Sequence, residues 1–257
     1  MNNPIINVQH LSQSYRNGNS ENEVLKNISF QIYQGEVIGY LGSNGAGKST
    51  TVKILCGILS DFQGEIEILG HHLKTDAFEL KKRIGYIPET AVMYEQLSPM
   101  EYLTFIASFY DMDANTVNRR INDYLRLFEM DGVKNNRMES FSKGMKQKIH
   151  IISGLLHDPE IIFMDEPLNG LDANAVILVK QLITKLTTDG KTIFYCSHLM
   201  DVVEKVATRI MLLDKGKIVA DGTLQELKKN SEAKTLEELF AKLTRHTVLA
   251  EPILTAE

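Results

Sequence analysis

The sequence predicts an α/β fold: a mixed sheet flanked by helices, with an antiparallel β region near the N-terminus and a helical insertion. Three observations support this prediction. Short apolar runs are interspersed with amphipathic helical patterns, as expected when strands are joined by helices. A glycine-rich loop at residues 42–50 stands between an apolar run and a helical pattern. Residues 89–141 are mainly helical in pattern and separate two groups of predicted strands.

Length and composition are those of an ordinary globular protein. The 257 residues suffice for one large α/β domain or two lobes that share a core. The net charge of -5 argues against nucleic acid as the main partner. Cys56 and Cys196 are far apart and are expected to be reduced core residues. His71 and His72 lack neighbouring ligands and are expected in a surface turn rather than a metal site.

No membrane or export segment is expected from the sequence. Residues 1–4 contain no basic segment followed by an apolar core, so no signal peptide is predicted. No stretch approaches the ~20 apolar residues that cross a bilayer. If the protein works at a membrane, another chain must supply the spanning part.

The antiparallel region is predicted from strands at residues 5–8 and 24–33. In the second strand, apolar and polar residues alternate, as in a sheet with one solvated face. A polar loop is predicted at 16–22, between the two strands. Tyr15 precedes this loop and fits two interpretations. It is either a half-buried aromatic at a strand end or a platform on which an adenine base stacks.

Residues 42–50 fit the phosphate-loop pattern of Gly, four residues and Gly-Lys-Ser/Thr. The glycines let backbone N–H groups turn toward phosphate oxygens, and the following helix points its positive end at the same anion. Lys48 can reach the outer phosphates, and the Ser49 hydroxyl can ligate Mg²⁺. A predicted strand at 36–41 and a helical pattern that Gly57 does not interrupt supply the required context. The sequence therefore predicts a nucleotide-binding site.

Strands and capped helices follow. Strands are predicted at 64–70 and 84–87. Ser98 starts a capping box with proline at the first helical position, and Asp113 opens another helix. Ser142 is a predicted N-cap before a helix whose start carries a glycine and lysines. Such a helix start is a plausible second anion site, but taken alone these residues fit an ordinary capped helix better.

The apolar run that begins at Glu160 ends in two acids, Asp165 and Glu166. In phosphate-loop enzymes an acid at such a strand end holds Mg²⁺, and its neighbour can polarise the attacking water. The other interpretation is two acids at a surface turn. His198 follows the predicted strand at 191–196. A lone histidine there is usually structural, but on the same sheet edge as a phosphate loop it can contact a γ-phosphate.

The C-terminal part is predicted to contain a helix capped by Asp172, a hairpin and two short helices. The predicted ranges are 209–214 and 217–220 for the hairpin strands, 223–229 and 235–243 for the helices, and 247 onward for a frayed tail.

In this order, the motifs resemble those of the ATP-binding subunit of an ABC transporter, from Tyr15 to about Thr244. The resemblance implies a P-loop NTPase core that binds ATP and Mg²⁺. It implies a phosphate cradle formed by Gly42, Ser43, Asn44, Gly45, Ala46, Gly47, Lys48, Ser49 and Thr50. It also implies adenine stacking on Tyr15, metal binding by Ser49, Glu89 and Asp165, a catalytic Glu166 and a γ-phosphate-sensing His198.

The resemblance further implies that each ATP lies between two subunits. The family signature, which contacts the ATP of the other subunit, corresponds to Ser142, Lys143, Gly144 and Met145. The loop Asn169–Asp172 corresponds to the family's contact across the dimer. A second ATP-binding subunit, identical or related, is therefore an expected partner.

Two departures from the family pattern stand out. Glu89 replaces the usual Gln; a carboxylate can bind Mg²⁺ through water but cannot donate a hydrogen bond. The usual Leu-Ser-Gly-Gly-Gln is Phe-Ser-Lys-Gly-Met at 141–145. Lys143 either adds positive charge near the partner's γ-phosphate or faces solvent. Both departures are similar to a bacterial export-type branch whose membrane subunits are separate chains.

The resemblance implies one ABC ATPase domain. Its implied limits are 1–246 overall, with core segments 1–88 and 155–230, a helical signature subdomain 89–154, C-terminal helices within 223–244 and a tail 247–257. It implies a cytoplasmic location on the inner face of the cell membrane, through separate integral membrane permease subunits that are contacted near Glu89–Leu97. Neither nucleic acid binding nor direct membrane insertion is expected. The alternative is a soluble ABC ATPase in assembly, nucleic-acid or ribosome work.

Overall fold

The computed structural model describes residues 3–17, 20–90, 93–231, 233 and 235–244. The strands are Ile6–Asn17 (β1), Ser20–Ile32 (β2), Val37–Gly42 (β3), Gln63–Ile68 (β4), His71–His72 (β5), Ile84–Ile87 (β6), Ile161–Asp165 (β7), Thr192–Ser197 (β8), Arg209–Asp214 (β9) and Lys217–Gly222 (β10). The helices are Lys48–Leu55 (α1), Leu73–Arg83 (α2), Pro99–Ala107 (α3), Ala114–Leu127 (α4), Lys143–Leu155 (α5), Ala173–Thr188 (α6), Met200–Val206 (α7), Leu224–Ser231 (α8) and Leu236–Thr244 (α9).

Two sheets organise these elements, as the predicted fold class requires. The first is antiparallel, with strand order β2-β1-β4-β5. The second has the order β10-β9-β3-β8-β7-β6 and is parallel except for its edge strand β10. Because β3, β8 and β7 are parallel neighbours, their carboxyl ends meet at one edge of the sheet. The phosphate loop, the two acids and His198 follow those three strands and so are brought together.

The central strands β3, β7 and β8 are buried along their whole length. Such strands are apolar on both sides because each face of the sheet is covered. One apolar layer, which includes Tyr40 and Phe194, lies between the two sheets. The other, which includes Leu41 and Tyr195, lies under the helices. Cys56 and Cys196 are buried and unpaired, which confirms their predicted role as reduced core residues.

The predicted helical insertion and its caps are confirmed. The Ser98 hydroxyl accepts the Glu101 N–H at 3.3 Å, and the Glu101 carboxylate accepts the Ser98 N–H at 2.8 Å. The Asp113 carboxylate accepts the N–H groups of Asn115 and Thr116, both at 3.0 Å. These bonds satisfy donors that a helix start leaves without partners, so α3 and α4 begin where the sequence predicts.

The predicted polar loop at 16–22 is wrong for the residues that the structure describes. Strands β1 and β2 continue through this region as a hairpin, with Tyr15 opposite Asn22 and Arg16 opposite Glu21. Antiparallel pairing uses backbone groups, so polar side chains do not prevent it at a sheet edge. Residues 18–19 lie outside the described part of the chain.

The prediction that Gly57 leaves its helix uninterrupted is also wrong. Helix α1 ends at Leu55, and Gly57 adopts a left-handed φ of +63°. The Ile58 N–H then donates to the Lys53 carbonyl at 2.8 Å. This arrangement closes a helix end, and glycine adopts the left-handed conformation at little cost.

Three further elements differ from the sequence predictions. Helices α2 and α7 were not predicted; each is short and has only two fully buried residues. His71 and His72 form the short strand β5 rather than a turn, because the turn lies one step earlier, at 69–70. Within the described residues, no three His, Cys, Asp or Glu side chains cluster as a metal site, and no helix is long and apolar enough to span a bilayer.

Candidate functional site

A cleft of about 740 Å³ opens where the central parallel strands end. Of the predicted site residues, it is lined by Gly42, Ser43, Asn44, Gly45, Gly47, Lys48, Ser49, Thr50, Glu89, Asp165, Glu166 and His198. The predicted residues that do not line it are Tyr15, Ala46, Ser142, Lys143, Gly144, Met145 and Asp172. The structure therefore brings the phosphate loop, the acids and the histidine together, and leaves the signature outside.

The phosphate loop needs glycine at Gly47. Its φ is +112°, and an added Cβ would lie 2.6 Å from the Leu25 side chain and 3.1 Å from the Val24 carbonyl oxygen. Gly47 is also the N-cap of α1 and supplies no side-chain acceptor. The first N–H groups of the helix therefore stay available to an anion in the cleft.

Lys48 is buried at the start of α1. Its Nζ donates to the carbonyl oxygens of Gly42 at 2.7 Å and Ser43 at 3.3 Å. On the next turn, the Thr51 hydroxyl donates to the Gly47 carbonyl at 3.0 Å and lies 3.2 Å from the buried Tyr40 hydroxyl. The loop and its ammonium group are thus fixed to the sheet before any phosphate arrives, which lowers the entropic cost of binding.

Asp165 ends β7 with only 3% of its surface exposed. Burial raises the pKa of this carboxyl group, a hydrogen bond from Ser49 opposes the rise, and the charges of Glu89 and Glu166 add to it. One oxygen, Oδ1, is buried without a hydrogen-bond partner among the described residues. A buried carboxylate with a free oxygen beside a serine hydroxyl fits Mg²⁺, which proteins bind through one or two carboxylates plus substrate phosphates.

Glu166 follows in a left-handed conformation with φ of +49°. Its carboxylate is buried and has two partners: Nδ1 of His198 lies 2.8 Å from Oε1, and the Ser197 hydroxyl lies 3.0 Å from Oε2. A carboxylate only accepts hydrogen bonds, so Nδ1 of His198 carries a hydrogen here. The predicted base and the predicted phosphate sensor are therefore in direct contact at the cleft.

Glu89 is exposed at the rim of the cleft, where it accepts a hydrogen bond from Nδ2 of Asn169 at 3.4 Å. It also lines a second groove, together with Met93, Lys146 and His150. The residue thus lies between the nucleotide cleft and the helical insertion. A carboxylate in this position can reach water around a metal ion on one side and a partner on the other.

The signature residues lie at the start of α5. The Ser142 hydroxyl accepts the Met145 N–H at 3.2 Å, so Ser142 is the predicted N-cap. A Cβ on Gly144 would lie 2.6 Å from the carbonyl oxygen of Gly170, which explains the glycine. The stem of Lys143 packs on Gly170 as well. The signature is therefore built against the 169–172 loop of its own chain.

Tyr15 and Asp172 do not line the cleft. The Tyr15 hydroxyl is 3.4 Å from the Thr50 hydroxyl at the end of the phosphate loop, and the residue is 41% exposed. Asp172 caps α6 by accepting the Ala175 N–H at 2.9 Å, and this bond lowers the pKa of its carboxyl group. Tyr15 lies within β1 with an exposed ring, and stacking of an adenine on that ring stays a prediction.

Five lining residues were not identified as site residues from the sequence. They are Asn22 and Val24 on β2, Ser197 on β8, Met200 on α7 and Phe240 on α9. Helix α9 reaches the cleft through α7, since the Leu236 N–H donates to the Glu204 carboxylate at 3.0 Å. None of the five belongs to a predicted chemical motif, so only the folded arrangement of the strands and helices reveals them.

Comparison with known proteins places this geometry in a family. Residues 25–169 match the ABC transporter family model. An uncharacterized ABC transporter ATP-binding protein of Nostoc sp. is 37% identical over 228 residues, which are 87% of this chain and 68% of that protein. The chain thus spans about two thirds of that relative's length.

Two solved structures are similar over most of the chain. An ATP-binding subunit of an ABC transporter has a TM-score of 0.86 at 31% identity, covering 93% of this chain and 99% of that one. A dimeric ATP-binding cassette in a post-hydrolysis state, bound to ADP and Pi, has the same fold, with a TM-score of 0.80 at 24% identity over 85% and 98% of the two chains. The chain therefore belongs to the ABC transporter family, as an ATP-binding subunit that hydrolyses ATP with Mg²⁺ as its metal ion.

Proposed function

We propose that the chain is the motor subunit of a membrane ABC transporter and works as a pair of ATP-binding subunits around two Mg-ATP. One observation carries the proposal: the Ser142–Met145 signature does not line the cleft of its own chain. A helix start with a hydroxyl, free N–H groups and Lys143 suits an anion. In a two-fold pair, the cleft of each subunit faces the signature of the other, as the dimeric cassette with the same fold suggests.

In this proposal, the phosphate loop N–H groups and Lys48 bind the phosphates, and Tyr15 stacks on the adenine. Ser49, Asp165 and Glu89 would hold Mg²⁺, which would supply positive charge to neutralise the phosphates. Glu166 accepts the proton of the attacking water, and His198 donates a hydrogen bond to the γ-phosphate. Hydrolysis removes the bridging phosphate, the pair opens, and the membrane subunits change conformation.

The permease contact is proposed at the helical insertion, around Glu89–Leu97; residues 91–92 of this stretch lie outside the described part. Exposed aromatic side chains support this site. Tyr94, Phe105 and Phe109 pack edge to face with ring centroids 5.7 and 5.0 Å apart, and Phe109 is 60% exposed. An apolar patch beside a charged groove suits an amphipathic helix of a permease. This contact places the chain on the cytoplasmic face of the membrane.

The proposed direction of transport is export. It rests on the resemblance of Glu89 and of the signature with Lys143 to the export-type branch, whose membrane subunits are separate chains. The cargo is bound by those subunits, so no residue of this chain is assigned to it.

The Glu166→Gln variant tests the proposed chemistry. It keeps the shape of the side chain but removes the base, so kcat falls about 10²–10⁴-fold while ATP binding is kept. An ATP-bound dimer accumulates, which size-exclusion chromatography with light scattering detects. The exposed Glu237 supplies a matched control, and Glu237→Gln keeps the wild-type rate. Near-normal hydrolysis by Glu166→Gln would remove Glu166 from its proposed role.

The permease partner is tested by purification from membranes in mild detergent. The wild-type chain is expected to carry multi-helix membrane proteins with it. Replacing both Phe105 and Phe109 by Gln lowers their recovery, because the apolar contact is lost. Ile177→Gln, which changes an exposed apolar residue on α6, is the control and leaves recovery unchanged. A complex without membrane proteins would instead support the soluble ABC ATPase.

A further inference from the structure

Ser197 is a buried residue whose hydroxyl has a defined direction. It ends β8 with 1% of its surface exposed. Its Oγ accepts the Leu199 N–H at 3.0 Å and lies 3.0 Å from Oε2 of Glu166. Since the carboxylate can only accept, the single hydroxyl hydrogen points at Glu166. The Leu199 N–H occupies the acceptor side of the same oxygen and keeps the hydroxyl from rotating.

The two oxygens of Glu166 are held by very different groups. Oε1 is held by His198, whose side chain is 55% exposed at the mouth of the cleft. Oε2 is held by Ser197, on a strand buried along its whole length. An exposed imidazole at the end of a strand can change partner, whereas a hydroxyl inside the sheet cannot move without the strand. One oxygen is therefore exchangeable and the other is fixed.

The backbone of Glu166 is anchored to the same strand. Its N–H donates to the Cys196 carbonyl at 2.9 Å, which extends the pairing of Asp165 with Cys196 by one residue. The left-handed φ of Glu166 turns the chain sharply at this point. Consecutive residues of β8, Cys196 and Ser197, thus hold the main chain and the carboxylate of Glu166.

From this geometry we propose that Ser197 is a positioning residue for ATP hydrolysis. By holding Oε2, it keeps Oε1 directed into the cleft when His198 exchanges Glu166 for the γ-phosphate. Oε1 then accepts the proton of the attacking water from a fixed position. This inference rests on the proposed role of Glu166. Correct placement of a reacting group contributes strongly to rate, since a displacement of about 1 Å costs roughly 100-fold.

The Ser197→Ala variant of the full chain, assayed with Mg-ATP over a range of protein concentrations, tests the proposal. The expected result is a 10- to 100-fold lower kcat with an unchanged KM for ATP, because the phosphate contacts are intact. Ser197→Thr keeps the hydroxyl and restores most of the rate. Ser231→Ala removes a hydroxyl that donates to the Leu227 carbonyl on α8 and serves as the matched control with wild-type kinetics.

The double variant Ser197→Ala/Glu166→Gln separates this inference from the role of Glu166. If Ser197 acts through Glu166, the double variant is no slower than Glu166→Gln alone. Full kcat in Ser197→Ala beside an inactive Glu166→Gln overturns the positioning role and leaves the base in place. Near-normal kcat in Glu166→Gln overturns the proposed role of Glu166 as the base.

A further variant covers the case in which Ser197→Ala has a much lower melting temperature than wild type. Ser197→Cys retains the side-chain volume but has only a weak hydrogen-bond donor. A wild-type kcat in that variant also overturns the proposal.

Discussion

Two helix starts in this chain are proposed anion sites, and their surroundings are opposite in character. At the phosphate loop, the helix start lies beside buried carboxylates, and its lysine is fixed: Lys48 donates to the carbonyls of Gly42 and Ser43. The first turn of α5 is exposed and carries Lys143, which has no ion pair among the described residues.

The acids near α5 are already paired with other lysines. Glu95 lies 2.8 Å from Lys146, and Asp172 lies 3.9 Å from Lys148. The cleft thus has carboxylates for a metal ion and a water, while the α5 start has donors and positive charge without acids of its own. The α5 start lacks the acids that the cleft supplies, and it adds exposed donors and a second lysine. This complementarity is the physical reason to expect one ATP between two chains rather than within one.

Mixing two inactive variants offers the strongest test of this comparison. Lys48→Ala disables the phosphate loop, and Gly144→Ala disables the signature, because its Cβ would lie 2.6 Å from the Gly170 carbonyl oxygen. Each variant alone is expected to lose about 10²-fold in ATPase rate. Random pairing makes about half of the dimers mixed, each with one intact site, so roughly a quarter of the wild-type rate returns.

The control for this experiment is Gly132→Ala, where an added Cβ meets no heavy atom of the described chain within 4 Å. That variant is active alone. Melting temperatures of all variants show whether Gly144→Ala folds. If the mixture of Lys48→Ala and Gly144→Ala is no faster than the sum of its parts, the two regions do not serve a shared ATP.

A smaller effect is expected from Asp165→Asn, which tests whether the cleft is strained by its own acids. Burial raises the pKa of the Asp165 carboxyl group above its ordinary value of 3.8. At pH values between 3.8 and the raised pKa, this carboxyl group is therefore protonated more in the native state than in the unfolded state. The free energy of unfolding therefore falls as pH rises through this window and stays lower at neutral pH. Asn carries no charge, and the metal-free variant should melt about 2–4 °C higher at pH 7.

Scanning calorimetry in EDTA at pH 7 and at pH 3.5 measures this difference, which shrinks at the lower pH. Mg-ATP is then expected to raise the melting temperature of wild type more than that of Asp165→Asn, since the variant lacks the proposed metal ligand. The exposed Asp61 gives the control, and Asp61→Asn shows neither effect. If metal-free Asp165→Asn melts below wild type at pH 7, the charge of Asp165 does not destabilise the metal-free cleft.

The helix starts were predictable because their signals are local. Ser98, Asp113, Ser142 and Asp172 each accept an N–H group three residues later. A sequence window of four residues contains both partners of such a bond. The buried strands were predictable for a similar reason, since a short apolar run is sufficient signal.

Other features depend on partners that are distant in the sequence. The contact between Glu166 and His198 joins residues 32 positions apart, and the neighbouring parallel strands set it. Strand pairing likewise overrode the polar composition after Tyr15, and the left-handed Gly57 overrode the helical spacing of the apolar residues around it. The residue types that line the cleft could be predicted from the sequence, whereas the hydrogen-bond partners of their side chains could be found only from the fold.

Phe240 on the cleft wall is a suitable position for a fluorescent probe. The chain contains no tryptophan, so Phe240→Trp would introduce a single indole fluorophore into the cleft that His198 and Met200 also line. Indole emission responds to nearby charge and water, both of which are expected to change when a nucleotide enters and in the proposed covering of the cleft by a second subunit. Stopped-flow fluorescence of that one side chain could then time nucleotide entry and subunit closure separately, by varying ATP and protein concentrations in turn.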